Sequence, residues 1–534
     1  MVSSLQTELV SLKLQVQALH ETIVNLSHEN DLLKRRLLGT KSEHSNTNEL
    51  QLVLGNLLDT QKALQKQLDE AVQRAADEAG GGDVPSGQDK GKRKPHGGGR
   101  PKLAESDLPR VVVEVTDPDL EQTAKRIGYD DSYLYLKRRG GWSVLVKRTI
   151  KYEVAGPEGA TVVAAPQPKM LFRKGLLHSS AVAHIIVQKF GLGVPHYRLE
   201  QHMESQSVRI DRSTMCRYVE ETGGALGSTI GHAMWQDALN NCGVLSTDAT
   251  SALIQPEKSK DGLKQSCKKG HFFTVVADCD HVLFAYTERH TQDAVKTLFK
   301  GFKGYLQCDA SNVYDILERG PPTEHGEGVA LVGCFAHCRR YFFEAAICKY
   351  AIGVEGLARI RAMYAVDAPL QKLPPAKRLK MRDAHLRPLI DSFFAWVHQA
   401  KLTIGGRNLA TRALGYATNQ ERELRRVLED PRLPLDNTRS ERSLRKIVVG
   451  RKAWMFYGSD THAESAAAIF TIIASCRLHE LDPEQYLDEV LRVLPYWPTD
   501  RYLELAPKYW SATRAKLRPE ELDAPLAAFT VPVA

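Results

Sequence analysis

Two apolar runs that each end in an aspartate constrain this chain more than any other feature. Gly243, Val244, Leu245, Ser246, Thr247 and Asp248 form the first, and Gly304, Tyr305, Leu306, Gln307, Cys308 and Asp309 the second. Each reads as a buried strand with a carboxylate at its C-terminal end. Between them, residues 272–277 and 282–286 read as two further strands with a turn at Asp280 and His281, and residues 291–299 read as a helix. Residues 329–332 add one more strand, which enters a helix near His337.

Three consecutive strands, a helix, then a fourth strand, with acids on the first and fourth, is the order of an RNase H-like core. Carboxylates so placed can converge on one pair of metal ions, and hard oxygen ligands suit Mg²⁺ or Mn²⁺. Two such ions stabilise the attacking and leaving oxygens of an in-line phosphoryl transfer. A third carboxylate is then expected from a later helix. Leu435, Asp436, Asn437, Thr438, Arg439, Ser440, Glu441 and Arg442 supply it: Asp436 or Asn437 caps a helix, and Glu441 lies about one turn inside. Arg439, Arg442, Arg445, Lys446, Arg451 and Lys452 crowd this glutamate, which suits a metal ligand beside a phosphate path. A strand-end aspartate alone is more often a turn or cap residue; the weight rests on the joint arrangement of Asp248, Asp309 and Glu441. The interval from Asp309 to Glu441 is more than twice that from Asp248 to Asp309, so a helical insertion is expected at about 345–430, with Arg- and Lys-rich faces.

The rest of the chain divides around this core. Leu5, Leu12, Leu19, Leu26 and Leu33 recur every seven residues, beside a row of Val2, Leu9, Val16, Ile23, Asn30 and Leu37. Leucine at d, mostly β-branched residues at a and one asparagine favour a parallel two-stranded coiled coil, so 1–79 is read as a dimerisation region. Residues 80–102 read as a flexible basic linker, with Lys90, Lys92, Arg93, Lys94, Arg100 and Lys102 among Gly and Pro. Its Gly99-Arg100-Pro101 is AT-hook-like and suits a narrow minor groove. Residues 103–178 alternate in strand fashion and read as a small β-rich module. Residues 179–235 read as a helix-turn-helix, with helices at 181–190, 197–203 and 214–221 and with Arg209, Arg212 and Arg217 around the last. The catalytic region is placed at 236–480 and a helical tail at 481–534. The fold class expected is thus multidomain α/β.

Net charge is +8 with 25% charged and 43% hydrophobic residues, ordinary for a globular protein and modestly in favour of a polyanionic partner. No apolar run approaches the roughly 20 residues needed to span a bilayer, and the N-terminus lacks the order of a signal peptide. Nine cysteines in a long chain argue against a disulfide framework.

The chain resembles the transposases of the insertion sequence 66 type over nearly its whole length. The resemblance is sharpest at Lys174-Gly175-Leu176, at Tyr305 to Asp309, in the run from Gly333 through His337, Arg339 and Arg340 to Glu344, and from Leu435 to Arg442. It continues through Val449-Gly450-Arg451-Lys452-Ala453-Trp454 to Asp460. It implies an Asp248, Asp309, Glu441 triad that cleaves and transfers DNA strands with two Mg²⁺ or Mn²⁺ ions. Double-stranded DNA partners are implied, both terminal inverted repeats and target. Lys92, Arg93, Lys94, Arg100, Lys102, Arg209, Arg212, Arg217, Arg339, Arg340, Arg442, Arg445, Arg451 and Lys452 are the expected DNA contacts. Accessory proteins of the same element, a homodimer or higher oligomer, and a nucleoid-associated place in a bacterial cytoplasm are implied too. Relatives carry a cysteine-rich zinc module before the helix-turn-helix; residues 103–180 hold no cysteine, so structural zinc is not expected there. The competing reading is a catalytically silent repressor or domesticated derivative; acids at all three positions favour the enzyme.

The a-row asparagine gives the first test. Asn30→Ile should shift the isolated 1–79 segment from dimers toward higher oligomers in sedimentation; an unchanged dimer would refute the register.

Overall fold

The computed structural model describes residues 102–138, 140–156, 159–172, 175–256, 266–278, 280–318 and 328–533, with the side chains of 438–442 and Lys446 outside the description. The expected coiled coil, and the linker apart from Lys102, lie outside the described residues. Two compact units emerge: residues 335–431, and residues 102–334 together with 432–533.

The larger unit opens with a four-stranded sheet, β1 (Arg110–Val115), β2 (Lys125–Arg138), β3 (Gly141–Gly156) and β4 (Gly159–Ala164), with the short helix α1 (Pro118–Thr123) after β1. The long β3 is its spine. One edge takes β2 antiparallel, from Arg138↔Gly141 to Lys125↔Glu153. The other takes β1 parallel along its first half and β4 antiparallel along its second. Valines and aromatics hold this sheet on both faces. Tyr135, Trp142, Val144 and Val146 join the main core, while Leu134, Leu136 and Leu145 pack under Met170 and Leu526. The Trp142 indole N–H donates to Gln206 at 3.0 Å, tying the sheet to the helices that follow.

Those helices are α2 (Ser179–Ile186), α3 (His196–Glu204), α4 (Arg212–Leu226) and α5 (His232–Asn241). The third, expected to end at residue 221, runs on to Leu226 through Gly223 and Gly224, residues that disfavour helix. Packing overrides that preference. A Cβ on Gly223 would lie 2.5 Å from Ser465, so the glycine permits a close helix crossing.

The second sheet has the order β7-β6-β5-β8-β9. Its first three strands, β5 (Val244–Ile254), β6 (Lys268–Ala277) and β7 (His281–Thr287), are antiparallel neighbours. After α6 (Gln292–Leu298), β8 (Gly304–Gln307) pairs parallel to β5. After the short α7 (Asp315–Glu318), β9 (Val329–Val332) pairs parallel to β8. Both β5 and β8 follow a glycine approach: a Cβ on Gly304, at φ +136, would meet the Gly243 carbonyl at 2.4 Å.

The smaller unit is all helical: α8 (Phe335–Ile347), α9 (Ala351–Leu370), α10 (Pro375–Met381), α11 (Arg387–Thr403), α12 (Leu409–Asn419) and α13 (Glu421–Arg425). Phe342, Phe393 and Phe394 fill its centre. Its buried charge is paired, with Arg382 Nε on Asp367 at 2.8 Å.

The chain then returns to the larger unit through α14 (Thr438–Trp454), β10 (Phe456–Tyr457), α15 (Asp460–Leu478), α16 (Pro483–Val493), α17 (Pro507–Ala515) and α18 (Pro519–Asp523). Helix α15 closes the exposed edge of β7 with hydroxyls one helical turn apart. The Phe284 N–H donates to Thr471 Oγ1 at 2.9 Å, and the Val282 N–H to Ser475 Oγ at 3.2 Å. The Ser475 hydroxyl donates in turn to the Val282 carbonyl at 3.1 Å. No described helix is long and apolar enough to cross a membrane. Among the described cysteines, Cys242 takes part in a disulfide.

Adjacent glycines in α4 should respond oppositely to alanine. Gly223→Ala forces Cβ into Ser465 and should lower stability by about 1–3 kcal/mol. At Gly224 nothing lies within 4 Å of a Cβ; Gly224→Ala should raise stability by about 0.5–1 kcal/mol. Thermal melts of the two variants against the parent check the pair, and equal shifts would contradict the crossing.

Candidate active site

Asp248 and Asp309 reach the site by the same route on adjacent strands. Parallel pairing sets Leu245 opposite Leu306 and Ser246 opposite Gln307. Each aspartate stands two residues beyond that last pair, Asp248 within β5 and Asp309 just past the end of β8, so the two lie near one another where the parallel strands run about 4.8 Å apart. Asp248 is paired across β6 with Thr274. Its Oδ1 accepts from the Ala249 N–H at 2.8 Å, and Asp309 Oδ1 accepts from the Ser311 N–H at 3.2 Å. Both acids are half-buried.

Tyr314, wholly buried behind them, senses both. Its phenol is pushed well above the ordinary range, first by burial and then by the neighbouring Cys308 and Asp309, with Asp248 adding to the effect. A tyrosine kept neutral there can donate a hydrogen bond and adds no negative charge beside the two carboxylates.

Glu441 arrives from far along the chain, and the start of its helix is fixed by buried amides. The Asn437 side chain donates to the Thr247 carbonyl at 2.9 Å, next to Asp248, and the Asn437 N–H donates to Cys334 Sγ at 3.4 Å. Gln307, fully buried in β8, donates to the carbonyls of Pro434 at 2.9 Å and Gly333 at 3.3 Å and accepts from Ser246 at 3.3 Å. The helix therefore begins beside the strand that carries Asp248. Further along, Arg451 Nη1 donates to Thr250 Oγ1 at 3.1 Å and to the Ser251 carbonyl, fastening α14 to β5. The side chain of Glu441 itself lies outside the described residues.

The expected DNA contacts fall in several places. Arg209, Arg212 and Arg217 are exposed around the α3–α4 turn, with Arg212 bound to Glu200 at 3.0 Å. Lys102 is exposed and pairs with Glu105 at 3.2 Å. Arg445 and Lys452 are exposed on α14, whereas Arg451 is occupied by β5. Arg339 and Arg340 belong to α8 in the helical unit, where Arg340 reaches Glu344 at 3.5 Å. The side chain of Arg442, and Lys92, Arg93, Lys94 and Arg100, lie outside the described residues. Trp454 and Tyr457 pack inward: Tyr457 is buried against Phe272, and Trp454 folds back over Gly450 onto Phe190.

The donor set at Asp248 and Asp309 fits a hard divalent cation, because two carboxylates supply oxygen ligands. Among the described side chains, which do not include that of Glu441, no group of three metal-binding residues comes together. Sequence reasoning missed Gln307 and Tyr314. The signal for Gln307 was present: an amide within an apolar strand must find buried partners.

Comparison with known proteins gives one family. Residues 174–465 match the model described as transposase IS66 family, residues 471–507 the IS66 C-terminal element, and residues 25–113 a segment described as transposase C of IS166 homeodomain. Relatives in Sinorhizobium fredii (strain NBRC 101917 / NGR234) include uncharacterized protein y4qI, 24% identical over 94% of this chain and 91% of its own length. Uncharacterized protein y4hP is 24% identical over 69% of each chain. Since the first match alone spans more than half of its length, the chain belongs to the IS66 family of transposases.

Proposed function

We propose that this transposase binds the terminal inverted repeats of an insertion sequence and cuts and joins DNA strands with Asp248, Asp309 and Glu441. The observation that carries the reading is the placement of Asp248 within β5 and Asp309 just past the end of its parallel neighbour β8, with the start of the Glu441 helix bonded to Thr247. The strand order, three antiparallel neighbours followed by two parallel ones, supports an RNase H-like core. Asp248, Asp309 and Glu441 would hold two Mg²⁺ or Mn²⁺ ions, which when bound stabilise charge on the attacking and leaving oxygens of the phosphodiester. The chain's own contribution is placement. Gln307 and Asn437 fix the elements that carry the acids, and Tyr314 closes the site from behind without adding charge. Arg445 and Lys452, exposed on the Glu441 helix, suit backbone phosphates. Arg209, Arg212 and Arg217 suit the duplex of the repeat, and the N-terminal leucine rows suit pairing of two ends by a dimer.

Asp248→Asn, Asp309→Asn and Glu441→Gln should each abolish metal-dependent cleavage of an end-containing duplex, a drop of at least about a thousandfold, and leave end binding within about threefold. Affinity comes from phosphate and base contacts elsewhere. Near-normal cleavage by any one variant would remove that residue from the triad. A parent protein that binds ends but never cleaves in Mg²⁺ or Mn²⁺ would favour a silent repressor.

A further inference from the structure

The net charge of +8 is not spread along the chain. Residues 335–431, the helical unit, hold seventeen Lys and Arg against nine Asp and Glu, a surplus equal to that of the whole protein. Everything else sums to zero. This concentration follows no need of the helical core.

Within the unit, several arginines are held by the fold, while others, Arg361 and Arg407 among them, are exposed. Arg382 is buried on Asp367, Arg359 pairs with Glu355 at 2.8 Å, Arg387 with Asp383 at 2.5 Å, and Arg425 with both Asp391 and Glu421. Arg378 lays its fork on the carbonyls of Leu370, Gln371, Leu373 and Pro431, between 2.6 and 3.2 Å. These arginines build the fold. The five lysines do not: Lys349, Lys372, Lys377, Lys380 and Lys401 are all exposed, and none is ion-paired among the described residues.

Helix α10 shows the division within one turn. None of its seven residues is fully buried, so hydrophobic packing alone does not hold it. Arg378 pins it through four carbonyls, while Lys377 and Lys380, three apart, share a helix face and Lys372 stands just before it. Like charges so placed repel one another, a cost that a polyanion removes. Ammonium groups on flexible stems act as point charges, which suits backbone phosphate contact without sequence preference.

We propose that the helical unit is a sequence-independent grip on duplex DNA, its lysines set against backbone phosphates. The choice of DNA as the polyanion rests on the transposase reading above. The test uses the full chain and a duplex of random sequence. Binding is measured across salt concentrations for the parent and for a variant with Lys349, Lys372, Lys377, Lys380 and Lys401 all changed to Gln. Each phosphate left without its lysine should reduce the salt slope by about 0.9. The expected result is a slope smaller by about two or more and an affinity lower by roughly tenfold or more at 0.15 M salt. Circular dichroism and melting should be unchanged, because these side chains make no ion pair among the described residues. The smaller set Lys372→Gln, Lys377→Gln and Lys380→Gln gives a second variant should the fivefold one fold poorly, with a proportionately smaller effect. A folded variant with the parent's slope and affinity would overturn the proposal while leaving the triad reading intact. A reduced slope in a protein that never cleaves would uphold the grip and fail the triad instead. Competition by polyglutamate as strong as by DNA of equal charge would assign the surface to acidic protein and also overturn it.

Discussion

One buried amide ties the larger unit together across its longest interruption. Gln307 stands at the end of β8, two residues before Asp309, and its Nε2 donates to both Gly333 and Pro434. Gly333 is where the chain leaves the sheet and Pro434 is where it returns. The helical insertion thus departs and re-enters at points held by a single side chain. Loop-closure entropy grows only slowly with length, so once the ends are fixed a long insertion adds little further cost. Asn437 extends the clamp by bonding to Thr247 and Cys334, which brings the Glu441 helix to the Asp248 strand. Without these bonds the third acid would belong to a distant segment rather than to a site.

The same sheet solves a second problem at its other edge. An unpaired edge strand invites pairing with another chain, and β7 is the outermost of the antiparallel strands. Thr471 and Ser475, one helical turn apart on α15, stand where a neighbouring strand's backbone would. This demands close approach on that side, while Gly223 allows close approach of α4 on another. Helix α15 is consequently buried over much of its circumference, which is why its apolar residues show little amphipathic pattern.

Sequence periodicity found the two apolar strands that lead to the acids but not where they end: β5 runs on past Asp248 to Ile254, and β8 stops at Gln307, two residues before Asp309. It could not show their relative register, which depends on long-range pairing between β5 and β8. Helix α4 likewise runs on past its expected end: helix propensity penalises Gly223 and Gly224, and only the partner helix explains the first of them. Arg451 was read as a phosphate ligand from its charge, yet its guanidinium fastens α14 to β5. A positive charge in a sequence does not reveal whether it faces solvent or a neighbouring carbonyl.

In the helical unit residue type narrows that ambiguity for the lysines, whereas its arginines are divided between the fold and solvent. Guanidinium groups present several donors in a fixed plane, so they can satisfy carbonyls and carboxylates together. Arg382 does so with Asp367 and the Val427 carbonyl, and Arg378 holds carbonyls alone, Pro431's among them. Ammonium groups are more strongly hydrated and lose more on burial, so a lysine without an acid partner remains in water. The unit can therefore be stabilised by its arginines and remain electropositive through its lysines. Because the two sets barely overlap, the charge presented to a polyanion can change without dismantling the helices that present it.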